Sequence, residues 1–171
     1  MNNSSNRTRR MIVIAMLACI SYVLSTFVYF PRMAPFQHMM NVITAVLMGP
    51  AAAFAAAFIT GLMRMILGGR TIQALIGAII GGPIAGIFYK KTGKVWAAIP
   101  GEGLGTGILS ALLVYPFMTA FYGLPKETPF WTFIPAYVPS SLMGSCLGVV
   151  VIGVLKKTGA WAKMKEALRA E

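Results

Sequence analysis

Acidic residues are nearly absent from this chain. It holds four Asp and Glu residues among 171, and charged residues of both signs make up 11% of the sequence. A soluble domain carries roughly 25% charged residues, because its surface must be hydrated. The scarcity of charge therefore excludes an ordinary soluble globule and favours a protein whose outer surface faces lipid.

Cysteine and histidine are also scarce, with two cysteines and one histidine in the chain. Cys19 and Cys146 lie inside apolar runs, which argues against a disulfide framework. One histidine with no cysteine or acid nearby in the sequence supplies too few ligands for a metal site. No phosphate-binding loop, paired carboxylates or supported Ser–His–acid set occurs in the sequence. We therefore predict no cofactor, no metal and no enzymatic activity, so that uphill transport needs an ion gradient or a partner.

Long apolar runs take the place of these groups, and 57% of the residues are hydrophobic. Residues 11–30 form a run of about 20 residues, the length that crosses a bilayer core as a helix. Proline, glycine and basic residues separate the later runs. We predict a compact all-α bundle of about six transmembrane helices, at 11–30, 37–48, 51–67, 71–89, 95–122 and 131–155. The fourth helix is expected to kink near Gly81, and the pair around Gly49 could instead form a re-entrant hairpin.

The net charge of +11 is concentrated at the ends of these runs. Six spans place both tails and the 90–94 turn on one side, whereas an odd number would separate the two basic tails. By the positive-inside rule that side is the cytoplasm. Clustering at span ends also argues against nucleic-acid binding, since headgroups attract such charge. The basic residues on this side are Arg7, Arg9, Arg10, Lys90, Lys91, Lys94, Lys156, Lys157, Lys163, Lys165 and Arg169.

The predicted organisation has one membrane domain between two tails. Residues 1–10 form a basic cytoplasmic tail, 11–157 the membrane domain, and 158–171 a cytoplasmic amphipathic tail. In the last segment Trp161, Met164 and Leu168 have the spacing of one helix face, as in a helix lying on the membrane surface. We expect a multi-pass protein of the cell membrane.

Glu102 is the only acid inside an apolar segment, and glycines stand at positions 101, 103, 105 and 107. A buried carboxylate costs several kcal/mol unless it is paired or protonated. It can contact substrate or couple an ion, or it can be a structural partner of Arg64 or reach the near interface. The glycines allow close helix approach, and they could also leave room for a ligand beside Glu102.

A second polar group stands at the start of the second helix. Gln37, His38 and Asn41 could supply hydrogen bonds at the mouth of a site, or they could cap the helix at the interface. His38 and Asn41 share a helix face because they are three residues apart. Arg64, in the third helix, could pair with Glu102, bind a substrate acceptor or reach outward to the interface.

The last span adds aromatic and hydroxyl side chains. Tyr137 and Ser141 share a helix face, and Tyr137 is a candidate for stacking on a flat ligand. Trp131 is either a second stacking residue or an interfacial anchor. In the first span Ala15 and Cys19 form a small-x-x-x-small pair that lets another helix approach closely.

Two stretches resemble known membrane proteins. The segment 46–50 with its Gly-Pro turn, together with the six-span layout, resembles the substrate-binding S components of energy-coupling factor (ECF) vitamin transporters. The run 30–43, which reads Phe-Pro-Arg-Met-Ala-Pro-Phe-Gln-His-Met-Met-Asn-Val-Ile, is similar to the ThiW family. The resemblance covers residues 11–157.

The resemblance implies a substrate, partners and site residues. The substrate is hydroxyethylthiazole, a thiamine precursor, and the partners are a membrane scaffold and two cytoplasmic ATPases. The S component topples in the membrane to carry its ligand inward. Ala15 and Cys19 match the scaffold-docking face. The ligand lies near the outer face under loop 31–36, which includes Arg32, and contacts helices that carry Glu102 and Tyr137.

The chemistry of hydroxyethylthiazole fits the polar groups found above. Its flat ring needs an aromatic face such as Tyr137 or Trp131, its nitrogen a donor such as His38, and its hydroxyl an amide such as Asn41 or Gln37. A cationic ligand such as thiamine would need an acid, for which Glu102 is the one candidate. The alternatives are a self-sufficient proton-coupled transporter with Glu102 as its proton site, and a structural subunit without ligand.

Overall fold

The structure is a computed structural model that describes residues 3–28 and 33–169. Over these residues the regular secondary structure is helical, without strands, as the sequence predicts. It forms one bundle of helices, and the longest described connection is the segment 122–133 between α5 and α6. The helices are α1 (Asn3–Phe27), α2 (Pro35–Met48), α3 (Pro50–Ile66), α4 (Gln73–Thr92), α5 (Val95–Phe121), α6 (Ile134–Lys157) and α7 (Ala160–Arg169).

Four of the described helices are long and apolar enough to cross a membrane: α1, α4, α5 and α6. The predicted second and third spans are shorter, with 14 residues in α2 and 17 in α3. At 1.5 Å per residue they extend about 21 and 26 Å, less than the bilayer core. They meet at Gly49, whose φ of +93° favours glycine, and Pro50 begins α3 where a missing N–H costs no hydrogen bond.

Helix α2 lies in the middle of the bundle. Every residue of it except Phe36 is buried, and α1, α3, α4, α5 and α6 all pack against it. A helix buried on all sides contacts protein and not lipid. Its central position explains both its short length and the burial of the polar residues at its start.

The tails meet at one end of the bundle. Arg9 Nη1 donates to the carbonyl of Ala167, 2.8 Å away, and Arg10 Nη2 donates to that of Met48, 3.3 Å away. These bonds tie the start of α1 to α7 and to the α2–α3 turn. Helix α1 begins at Asn3, so helical structure extends through much of the segment predicted as a tail. The apolar face of α7 packs against the bundle core, with Trp161 4% exposed.

Helices α4 and α5 are irregular where they cross. Helix α4 breaks at Ile80 between Gln73–Ile79 and Gly81–Thr92, which agrees with the predicted kink. Helix α5 has a π-helical segment at Gly103–Ser110. A Cβ on Gly105 would lie 2.6 Å from the Cα of Gly81, so glycine is needed for the two backbones to approach. A π segment often marks a functional site.

Candidate functional site

A cavity of about 300 Å³ opens at the end of the bundle away from the α1–α7 contact. Its size is at the lower end of the range of small-molecule sites. The wall is formed where α1 and α3 end and where α2, α4 and α6 begin. The lining residues are Ser25, Met33, Ala34, Gln37, His38, Arg64, Gly69, Arg70, Thr71, Gln73, Ala74, Gly77, Tyr137 and Ser140.

Three of the predicted ligand residues line this cavity: Gln37, His38 and Tyr137. Asn41 and Glu102 lie behind the wall, and Ser141 turns towards α5. Trp131 is 53% exposed, packs edge-on against Phe130 and does not line the cavity. Arg32 lies outside the described residues. The structure therefore brings together part of the predicted set and adds a second layer behind it.

Helix α6 supplies the aromatic wall. The ring of Tyr137 packs on Gly77 of α4, where a Cβ would lie 3.2 Å from Cε1, and its hydroxyl donates to the carbonyl of Gln73, 3.4 Å away. Ser140 shares this face and accepts a hydrogen bond from the backbone N–H of Ala34 at 2.9 Å. Ser141, by contrast, donates to the carbonyl of Val138 at 3.0 Å. The hydroxyl that faces the cavity is therefore that of Ser140, not that of the predicted Ser141.

His38 connects the cavity to a buried carboxylate. Its Nδ1 lies 2.9 Å from Oε1 of Glu102, and both side chains are buried. Asn41 Nδ2 and Thr106 Oγ1 also donate to Oε1, each at 3.0 Å. An oxygen that receives these donors acts as an acceptor, so Nδ1 carries the ring proton. Nε2 is then an acceptor in the neutral ring and a donor in the imidazolium.

The same cluster joins three helices. Asn41 Nδ2 donates its second proton to the carbonyl of Ala78, at 3.0 Å, and the single proton of Thr106 Oγ1 is shared with the carbonyl of Gly77, at 3.4 Å. Oε2 of Glu102 has no hydrogen-bond partner among the described residues. A Cβ on Gly81 would lie 2.6 Å from Cδ of Glu102, so this position needs glycine to leave space for the carboxylate. The cluster therefore fixes α2, α4 and α5 relative to one another beneath the cavity.

Arg64 points into the bundle. Its Nη1 donates to Oε1 of Gln37, and it is His38, not Arg64, that pairs with Glu102. Gln37 is 1% exposed, and its Nε2 has no acceptor in the described part of the chain. The sequence left several roles open for Arg64. It does not pair with Glu102 in the structure, and the Arg64 side chain lines the cavity.

Several lining residues escaped prediction from sequence, namely Ser25, Arg70, Thr71, Gln73 and Ser140. Ser140 had a usable signal, because positions three and four residues after Tyr137 are both near its face. Arg70 and Thr71 belong to the loop between α3 and α4, whose path no helical periodicity reveals. Its fold depends on the backbone bond from Arg70 N to the carbonyl of Arg64, at 3.1 Å.

The predicted docking pair lies on the outer face of α1. Ala15 and Cys19 are both exposed, beside exposed Met16 and Ile20. Cys19 and Cys146 are free thiols. Within residues 3–28 and 33–169 no group of three or more His, Cys, Asp or Glu side chains could hold a metal ion.

Comparison with known protein families gives a match over most of the chain. The family model described as "Thiamine-precursor transporter protein (ThiW)" matches residues 11–158. Searches of curated proteins and of solved structures gave no significant match. The family match covers nearly all of the helical bundle, including the cavity and the buried cluster beneath it. This multi-pass membrane protein belongs to the ThiW family of thiamine-precursor transporters.

Proposed function

We propose that this chain is the substrate-binding S component of an ECF-type transporter of the cell membrane, and that its substrate is hydroxyethylthiazole. The observation that carries the proposal is the cavity itself, which combines one aromatic wall with a small number of polar groups. A transporter family explains why such a site has no catalytic set beside it, so we propose no enzymatic activity.

The cavity offers each contact that a substituted thiazole requires. The Tyr137 ring provides a flat apolar face for the heteroaromatic ring. Nε2 of His38 accepts from the ligand hydroxyl when His38 is neutral and donates to the ring nitrogen when it is protonated. Gln37 and Ser140 are further polar groups of the wall. Asn41 and Glu102 contribute by holding His38 in place.

The charge of the wall argues against thiamine as the ligand. Thiamine carries a positive charge, which an acid or an aromatic cage would stabilise. No Asp or Glu in the described part of the chain lines the cavity, and Glu102 lies behind His38 with 0% exposure. The precursor, which carries no fixed charge, is therefore the better candidate.

The energy source must lie outside this chain. No phosphate-binding loop occurs in the sequence, so an ECF scaffold with two cytoplasmic ATPases would power the import. The exposed pair Ala15 and Cys19 on α1 is the proposed docking face for the scaffold. The basic tails would lie in the cytoplasm and the cavity at the outer face.

The main alternative is a self-sufficient proton-coupled transporter. The observation that favours it is the buried carboxylate of Glu102, whose Oε2 lacks a partner among the described residues and could take a proton. Uptake by whole cells separates the two. An S component loses uptake without its scaffold and ATPases, whereas a proton-coupled transporter keeps it and fails when the proton gradient is removed.

The substrate is tested by calorimetry on the detergent-purified chain with hydroxyethylthiazole, thiamine and the pyrimidine precursor. We expect saturable binding of the thiazole and weaker binding of both others. Tyr137→Ala and His38→Ala should weaken it, whereas Tyr115→Phe should not, because the Tyr115 hydroxyl bonds to the carbonyl of Lys126, away from the cavity. Tight thiamine binding with none of the thiazole would overturn the substrate assignment.

A further inference from the structure

The cavity wall carries the guanidinium of Arg64 without an acid beside it among the described residues. Arg70 lines the wall as well, and no Asp or Glu of residues 3–28 and 33–169 does. The buried acid Glu102 pairs with His38, and within residues 3–28 and 33–169 no carboxylate pairs with the guanidinium of Arg64. A cation within a membrane bundle is costly without a counter-charge. A ligand that supplied that charge in the cavity would lower this cost.

The guanidinium of Arg64 is held against the buried helix α2. It could have reached outward, because α3 ends two residues later at Ile66. Instead it donates to Oε1 of Gln37, a neutral acceptor on the buried helix α2. One amide oxygen uses only part of a group with five N–H donors. The remaining donors of Arg64 can therefore serve an acceptor in the cavity.

Two further features mark the same corner of the cavity. Gln37 is 1% exposed, and its Nε2 has no acceptor within the described chain. The α3–α4 loop folds back through the bond from Arg70 N to the Arg64 carbonyl, which brings a second arginine to this wall. Buried polar groups without partners are rare in native structures, so an unfilled donor beside a cavity points to a ligand acceptor.

We propose that this corner, formed by Arg64, Gln37 and Arg70, binds an anionic oxygen group of the ligand. The class of ligand is a small heteroaromatic ring with a phosphate ester or a carboxylate on its side chain. A guanidinium binds such groups through two parallel hydrogen bonds, with more strength than it binds a hydroxyl. The ring part of this inference rests on the proposed function, whereas the anion part rests on the cavity wall alone.

The test compares three ligands on the full-length purified chain in phosphate-free buffer. They are hydroxyethylthiazole, its phosphate monoester and the thiazole in which a carboxylate replaces the hydroxyl. The anions should bind about tenfold or more tightly than the alcohol, the range for an added charged hydrogen bond. Inorganic phosphate alone should compete with the ester, which tests the anion site without the ring.

Arg64→Gln removes the charge at nearly constant length, and the readout is the ratio of ester to alcohol affinity. That ratio should fall towards one. The control is Lys91→Gln, which should leave the ratio unchanged, because Lys91 is an exposed cation at the end of α4 away from the cavity. Arg64→Lys keeps the charge but loses the two parallel N–H donors of the guanidinium, so its ratio should be intermediate. This variant also provides the test if Arg64→Gln does not fold. Alcohol binding without preference for the anions, or an unchanged ratio in both variants, overturns this inference but leaves the proposed function standing. Absence of alcohol binding overturns the proposed function instead.

Discussion

Nδ1 of His38 lies 2.9 Å from Oε1 of Glu102, although 64 positions separate the two residues in the chain. This bond joins the cavity wall to a carboxylate that solvent does not reach. It gives His38 a fixed ring orientation and decides which nitrogen remains for a ligand. Glu102 is thus a positioning residue in our proposal, and its effect on binding passes through His38.

Glu102→Gln tests this positioning role. The change keeps the shape but replaces the carboxyl group that accepts from His38, Asn41 and Thr106 by an amide. We expect thiazole affinity to fall about tenfold and the free energy of unfolding to fall by about 1.5–3 kcal/mol. Calorimetry and thermal unfolding of the purified chain measure the two effects. An affinity equal to that of the wild type would show that His38 does not depend on Glu102.

Gly81→Ala should disturb the same cluster from the α4 side. The new Cβ would lie 2.6 Å from Cδ of Glu102, so the carboxylate or the helix must move. Overpacking of this kind costs about 1–3 kcal/mol. The control is Gly153→Ala on α6, where no atom lies within 4 Å of the new Cβ. Thermal unfolding should show the first variant destabilised and the second unchanged or slightly stabilised, by up to about 1 kcal/mol.

Trp161→Ala should detach α7 from the bundle. Trp161 is 4% exposed and belongs to the core cluster, although it lies on the last helix. Removing such a side chain costs about 3–5 kcal/mol. Trp96→Ala is the matched control, since Trp96 is 58% exposed and should change stability by less than about 0.5 kcal/mol. Equal unfolding temperatures for the two variants would contradict the packing of α7.

Sidedness can be measured with single cysteines. Cys19→Ala and Cys146→Ala should be tolerated, because both thiols are exposed and free. In that background Lys91→Cys should react with an impermeant maleimide only after the membrane is opened, and Lys126→Cys should react in intact cells. Both side chains are exposed, so access depends on the side of the membrane. The reverse pattern would place the tails outside.

The sequence predicted the helices well because apolar composition and the positions of proline and glycine determine them. The turn at Gly49-Pro50, the break near Gly81 and the start of the fifth helix at Val95 were all placed within a few residues. Polarity also identified His38, Asn41 and Glu102 as notable groups. Apolar periodicity cannot show which of two short helices lies in the centre, and so the burial of α2 emerges only from the packing.

The division of the polar residues into two layers was beyond reach from sequence. Asn41 lies three residues after His38, and yet His38 lines the cavity while Asn41 bonds to Ala78 and Glu102 behind it. That difference depends on the approach of α4 and α5, which glycine contacts set. Arg64 likewise had several possible partners, and the position of Gln37 on a neighbouring helix selects among them.

The enclosure of α2 separates the part of the cavity wall that α2 supplies from the thickness of the surrounding bilayer. Lipid acts on helices that it touches, which tilt or bend when the hydrocarbon layer becomes thinner or thicker. Helix α2 is buried from its start at the cavity to Met48 at the other end, so hydrophobic mismatch reaches it only through its neighbours. The outer helices can therefore adapt to membranes of different thickness while the spacing from Gln37 to Met48 stays constant.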